Sequence, residues 1–113
     1  MARFTIACLP GDGVGQDVME AAEIVLKKLK FDHERVYGDI GWEFWCTEGD
    51  ALPPRTVELL KSSSAALFGA VTSKPKQEAL KELAPELQGT GLMYHSPIVR
   101  LRQEFNLRTN VRP

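Results

Sequence analysis

Phe4-Thr5-Ile6-Ala7-Cys8-Leu9-Pro10-Gly11-Asp12-Gly13-Val14-Gly15 decides how the rest of this 113-residue chain is read. Phe4 to Leu9 is a short apolar run rich in strand formers. It lacks the alternation of a one-sided strand, so it predicts a strand buried on both faces. Pro10-Gly11 ends it. Glycines then recur at every second position, which lets the backbone turn tightly or approach a ligand closely. Free amides at the start of a following helix would favour an anion. The spacing is G-x-G-x-G rather than the G-x-G-x-x-G of a dinucleotide fingerprint, and G-x-x-x-x-G-K-[ST] is absent. By itself the loop fits a tight turn as well as a binding site.

Outward from that loop, apolar positions Val18, Ala21, Ala22, Val25, Leu26 and Leu29 fall at helical spacing and predict one apolar stripe. Asp17 near the start and Lys27, Lys28 and Lys30 near the end suit the helix dipole. His33 to Tyr37 predicts a second strand, and Trp42, Phe44 and Trp45 a short helical segment whose aromatics belong to the core. Pro53-Pro54 opens another helix through Val57, Leu59 and Leu60. Ala65 to Val71 is a continuous small-apolar run, the pattern of a strand covered on both faces. Lys76 to Leu83 is helix-prone, Gln88 to Gly91 is a loop, and Ser96-Pro97 reads as an N-cap followed by proline at the first helical position. Leu107 to Val111 predicts a further strand. The order of elements implies an α/β fold with an open, largely parallel sheet and helices on both faces, and places the strands Phe4–Leu9 and Ala65–Val71 adjacent and central. The chain closes at Arg112-Pro113, at or inside the last predicted strand, and so reads as the incomplete N-terminal piece of something longer.

A formal net charge of −1 argues against nucleic-acid or membrane-surface partners, which need a broad basic excess. The N-terminal run is too short for a signal peptide or a membrane span, so a cytoplasmic location is expected. Cys8 and Cys46 lack metal-ligand spacing and read as reduced thiols.

Two further segments carry chemistry. Gly69-Ala70-Val71-Thr72-Ser73 leaves the third predicted strand at its carboxyl end, the edge where open α/β sheets bind ligands. Its small residues leave room for a ring, and its hydroxyls offer hydrogen bonds. Arg100, Arg102, Arg108 and Arg112 crowd a short stretch with only Glu104 against them. Two guanidinium forks converging from a helix and the strand after it would hold a small di- or tricarboxylic acid, although a solvated basic face gives the same pattern. His33 and His95 have no partner at triad or metal-site spacing, and Asp39 lies roughly where a dinucleotide fold places its ribose acid.

Taken in order, Gly11-Asp12-Gly13-Val14-Gly15, Gly69 to Ser73 and the segment Ser96 to Arg112 resemble the β-decarboxylating dehydrogenases, the family of isocitrate, homoisocitrate and 3-isopropylmalate dehydrogenases. The first motif matches that family's G-D-G-[IV]-G, and the resemblance runs over the whole chain. It implies that residues 1–113 are the N-terminal part of the large α/β domain of a longer, homodimeric or larger NAD- or NADP-dependent enzyme. It implies cofactor contacts at Val14 and at Val71, Thr72 and Ser73, the last three at the nicotinamide end. Ser73 would also lie near substrate, Arg102 and Arg112 would bind the malate-like carboxylates common to all substrates, and Ser96 would face the variable end. The family's catalytic residues and its ligands for Mg2+ or Mn2+ would lie beyond residue 113. Ile98 stands where isocitrate enzymes carry an asparagine, and Ser96-Pro97-Ile98-Val99 with Asn110-Val111-Arg112-Pro113 looks more like homoisocitrate dehydrogenases. A non-catalytic subunit of the same fold and a free-standing anion-binding module are the competing readings.

Overall fold

The apolar run of the N-terminal strand does bury both its faces. In a computed structural model that describes residues 3–113, strand β1 (Phe4–Gly11) is the centre of a three-stranded sheet. Met1 and Ala2, the start of the N-terminal run, lie outside the described residues. Helix α1 (Val14–Lys28) leads to β2 (His33–Tyr37), which pairs parallel to β1. Helices α2 (Trp42–Glu48) and α3 (Pro54–Lys61) then return the chain to β3 (Ala65–Ala70), parallel to β1 on its other side. The spatial order is β2-β1-β3. Helix α4 (Lys76–Lys81), a 3-10 turn (Pro85–Leu87) and α5 (Pro97–Glu104) follow.

Alternate residues of β1 serve the two sides of the sheet. Ile6 and Cys8 pack with Met19 of α1 and Leu67, whereas Leu9 packs with Ile40, Leu52 and Val57, against which Leu60, Leu101 and Phe105 close from α3 and α5. Helices therefore cover both faces, as the pattern requires. A third cluster, Trp45, Ala51, Ala79, Leu83 and Tyr94, forms a small lobe from α2, α4 and the segment before α5.

Three expectations need correction. Helix α1 seats only Ala22 and Leu26 of the stripe expected over Val18, Ala21, Ala22, Val25, Leu26 and Leu29. Val18, Val25 and Leu29 are exposed, and the sheet side carries Gly15, Met19, Ala22 and Leu26. The helix has two apolar stripes displaced by one residue, hence by about 100° around the axis. Gly15 selects between them, because a Cβ there would lie 2.0 Å from the Pro10 carbonyl oxygen. Only the Gly15 flank can come this close to the sheet.

Strand β3 is adjacent to β1 as expected but is not central among the described residues. It is the sheet edge, with Ala65, Ala66 and Phe68 exposed. Phe68 and Ala66 line an apolar groove of 430 Å³ with Leu60, Leu101, Phe105 and Leu107. Finally, residues 107–113 form no strand. Asn106, at φ 51, turns the chain after α5, and the Leu107 amide bonds back to the Arg102 carbonyl at 2.9 Å. The strand expected over Leu107 to Val111 is therefore not formed.

The α1 correction can be tested by stability. Met19 is 4% exposed and Val25 58%. Urea denaturation should show Met19→Ala costing about 2–4 kcal/mol through the cavity it leaves. Val25→Ala should stay within about 0.5 kcal/mol of the parent.

Candidate active site at the strand ends

In a 2-1-3 parallel sheet the chain leaves β1 in one direction and returns past it in the other, so a crevice opens between the carboxyl ends of β1 and β3. The loops at those two ends are Gly11–Gly15 and Val71–Ser73. Backbone contact presses them together. The Asp12 amide donates to the Ala70 carbonyl at 2.8 Å, and a Cβ at Gly11 would lie 1.9 Å from that same oxygen. Gly11 has φ 80 and Gly13 φ 51, values that glycine adopts without the strain a side chain brings. The Gly15 amide closes the turn onto the Asp12 carbonyl at 2.8 Å. The loop is thus a tight junction between strand ends.

The Asp12 carboxylate, overlooked in the sequence, is its anchor. Both oxygens accept from the Trp42 amide, at 2.9 and 2.8 Å, and Oδ2 also accepts from the Thr72 amide at 2.9 Å. Helix α2 has no side-chain cap of its own at Gly41. Asp12 supplies it from the neighbouring loop, and its charge suits a helix N-terminus. Gly41, at φ 122, makes room, since a Cβ there would lie 2.5 Å from Asp12 Oδ1.

On the other side of the Val71–Ser73 loop stands Tyr94, buried against Trp42 and Trp45 with edge-on rings at 5.1 and 5.3 Å. Its hydroxyl lies 2.9 Å from Ser73 Oγ and donates to the Thr72 carbonyl at 3.3 Å. Lys74, next in the chain, donates to Glu82 and lies 5.4 Å over the Trp42 ring, while the Trp42 indole N–H donates to Glu82 as well. The Lys74 ammonium and then the Trp42 indole hold the Glu82 carboxyl below the ordinary carboxylate range, and Glu82 in turn holds the Lys74 ammonium up.

The arginines divide. Arg100 is paired with Asp50, and Asp50 Oδ1 also accepts from the Leu52 amide at 3.0 Å. Pro97, Leu101 and Phe105 face the core, which puts Ile98 and Arg102, four residues apart, on one flank of α5. Arg102 and Arg112 are exposed and enter no ion pair among the described residues. Arg112 lies in the extended tail, so the expected convergence of a helix and a strand is not formed. Ser96 is the N-cap of α5 by position, its carbonyl accepting from the Arg100 amide at 3.1 Å, but its hydroxyl makes no capping bond.

Of the remaining predicted residues, Val14 opens α1 fully at the crevice rim and is 61% exposed. Val71 is half-buried beside Gly11, and Thr72 and Ser73 are exposed. Asp39 is taken up by Arg55 at 2.8 Å, and Arg55 also pairs with Glu48. Burial pushes both thiols up, which keeps Cys8 and Cys46 protonated. Among the described residues no three His, Cys, Asp or Glu side chains are grouped to hold a metal, and no helix is long and apolar enough to cross a membrane.

A profile of the family described as isocitrate/isopropylmalate dehydrogenase matches residues 5–113. The chain belongs to that family. It is 50% identical over 108 residues to protein DlpA of Legionella pneumophila, a match covering 96% of this chain and 18% of DlpA. It is 40% identical to the 3-isopropylmalate dehydrogenase of Archaeoglobus fulgidus, covering 96% of this chain and 27% of that enzyme. The homoisocitrate dehydrogenase of Methanocaldococcus jannaschii is 37% identical, with the same shares covered. Among solved structures, an apo β-decarboxylating dehydrogenase from Thermococcus kodakarensis superposes with a TM-score of 0.62 at 28% identity, over 91% of this chain and 27% of that one. The chain spans about a quarter or less of the length of these relatives.

The ion pairs around the loop set a pH dependence. Glu82 and Glu48 both have carboxyls lowered on folding, Glu48 chiefly by its hydrogen bonds from Arg55. A lowered carboxyl stabilises the fold above its unfolded value and loses that contribution as pH falls through the folded one. The urea midpoint should therefore drop between about pH 5 and pH 3, and Glu82→Gln should flatten that drop. An unchanged slope in Glu82→Gln would show that the Lys74–Glu82–Trp42 cluster does not act in solution.

Proposed function

We propose that residues 1–113 are the N-terminal part of the large α/β domain of an NAD(P)-dependent dehydrogenase that oxidatively decarboxylates a 2-hydroxy di- or tricarboxylic acid. Homoisocitrate or isocitrate is the preferred substrate, ahead of 3-isopropylmalate. The observation that carries this reading is the family match over residues 5–113, whose two loop motifs meet at the β1/β3 crevice.

The residues present fit a cofactor at that crevice. Val14 offers an exposed apolar side chain, no atom lies within 4 Å of where a Cβ on Gly13 would stand, and the small Thr72 and Ser73 are exposed. Bound NAD(P) supplies the hydride acceptor. Val14 and Val71 give it apolar contact, and Thr72 and Ser73 face its nicotinamide end. The Mg2+ or Mn2+ used by this family finds no ligand cluster in the described residues, and its ligands are assigned to the chain beyond residue 113.

Arg102, unpaired among the described residues, is available to the malate-like carboxylates, and Arg112 joins it when the tail is seated by the rest of the protein. A bidentate guanidinium orients the acid and holds its C2 hydrogen in reactive geometry. Ile98 shares the Arg102 flank of α5, and Ser96 brings a hydroxyl not spent on capping. These two residues face the variable end of the acid. The complete enzyme acts as a homodimer or larger homo-oligomer in the cytoplasm.

The direct test is turnover. The polypeptide that continues this segment should reduce NAD or NADP with homoisocitrate or isocitrate and Mg2+, whereas residues 1–113 alone should not. Within it, Arg102→Lys and Arg112→Lys should each lower kcat/KM roughly ten- to a hundredfold for every acid, because lysine keeps the charge but loses the fork. Arg108→Lys should do little, and Ile98→Asn should shift preference toward isocitrate. An unchanged preference in Ile98→Asn together with collapse in Arg108→Lys would overturn this assignment of α5.

A further inference from the structure

The Val71–Ser73 loop carries the cofactor-facing residues yet belongs to no helix or strand. Its geometry comes from two side chains that reach it from opposite sides. Asp12 Oδ2 receives the Thr72 amide at 2.9 Å, and the same carboxylate receives the Trp42 amide, so α2 and the loop share one anchor. The Tyr94 hydroxyl reaches the Thr72 carbonyl at 3.3 Å and Ser73 Oγ at 2.9 Å. Both polar groups of the Thr72 peptide segment are thereby engaged, and burial of Tyr94 between two tryptophans leaves its hydroxyl no other position.

The Tyr94 hydroxyl has one proton and two neighbours. Ser73 Oγ stands at 2.9 Å, where either oxygen can donate, and the Thr72 carbonyl, which only accepts, at 3.3 Å. Whichever takes the proton, the contact ties the loop to the buried ring.

We propose that Asp12 and Tyr94 are positioning residues that clamp the Val71–Ser73 loop from its two sides and hold Thr72 and Ser73 in register with the nicotinamide end of the cofactor. The proposal rests on the dehydrogenase reading for its ligand, and on the hydrogen bonds at Thr72 for the clamp itself. Replacing Asp12 by alanine removes both acceptor oxygens, whereas asparagine could still accept both amides through one oxygen at the Oδ2 position. Replacing Tyr94 by phenylalanine keeps the ring packing and removes the hydroxyl that reaches Ser73 and Thr72.

Two measurements keep the clamp and the activity separate. In residues 1–113, amide hydrogen exchange by NMR should quicken at Thr72 in Asp12→Ala while the Ala7 and Cys8 amides of β1 keep their protection. In the complete dehydrogenase, Asp12→Ala and Tyr94→Phe should lower kcat by about tenfold to a hundredfold, the scale of a small misplacement of reacting groups, with KM for the acid little changed. The kinetic isotope effect with 2-deuterated acid should rise, because hydride transfer becomes the slow step. A variant that is merely less folded would lose activity with the isotope effect unchanged, and that result overturns the proposal. So does parental Thr72 exchange in Asp12→Ala. Wild-type protein that turns over none of the three acids would reject the dehydrogenase reading and with it the cofactor role, leaving the Thr72 exchange to decide the clamp.

Discussion

Close backbone approach between the ends of β1 and β3 is the constraint on which the remaining structure depends. Three glycines permit it. A Cβ at Gly11 would meet the Ala70 carbonyl oxygen at 1.9 Å, one at Gly15 the Pro10 oxygen at 2.0 Å, and one at Gly69 the Pro10 oxygen at 2.3 Å. These are contacts to backbone, which cannot rotate away as a flexible side chain would. Because the loops meet there, α1 is seated on its Gly15 flank, Met19 reaches Cys8 and Leu67, and the Asp12 carboxylate comes within reach of α2 and of Thr72.

The distribution of charge follows from that junction. Asp12 lies at the crevice but is engaged by backbone amides from two segments. Asp39 and Glu48 go to Arg55, Glu82 to Lys74 and Asp50 to Arg100. Exposed pairs of this kind add little stability individually. Their effect here is to assign partners: among the α5 arginines, Arg100 is paired with Asp50 while Arg102 enters no ion pair among the described residues. A basic cluster that reads as uniform in the sequence becomes one paired cation and one exposed one.

Local rules were enough for the elements that depend on local chemistry. His33 to Tyr37 forms β2, Pro54 opens α3, and Ser96-Pro97 starts α5. The place of the Val71–Ser73 loop was legible too, since it leaves β3 at its carboxyl end as the small-apolar run predicts. What failed depended on partners distant in sequence. Two apolar stripes on α1 are indistinguishable by periodicity, and the choice between them comes from Gly15 meeting Pro10. The small-apolar run of β3 signals burial, but its outer edge has no neighbouring strand among the described residues. Residues 107–111 form no strand because Asn106 turns the chain and the Leu107 amide bonds back to Arg102, five residues before it. Asp12 looked like part of a glycine turn because the amides it receives are 30 and 60 residues away. Nothing in the local sequence marks Tyr94, because the groups its hydroxyl serves, Ser73 and Thr72, lie 21 and 22 residues away.

Replacing Gly69 by alanine tests the junction most directly, because Gly69 has no left-handed φ and the only demand on it is space. Gly89 is the control, at φ 76 with nothing within 4 Å of its absent Cβ. Urea denaturation followed with amide exchange should show Gly69→Ala costing about 2 kcal/mol or more, the scale of overpacking against atoms that cannot yield. Protection of the Asp12 and Thr72 amides should fall with it. Gly89→Ala should cost about 1 kcal/mol, from backbone strain alone, with those amides unaffected. Gly69→Ala within about 0.5 kcal/mol of the parent, with Asp12 and Thr72 still protected, would contradict the account.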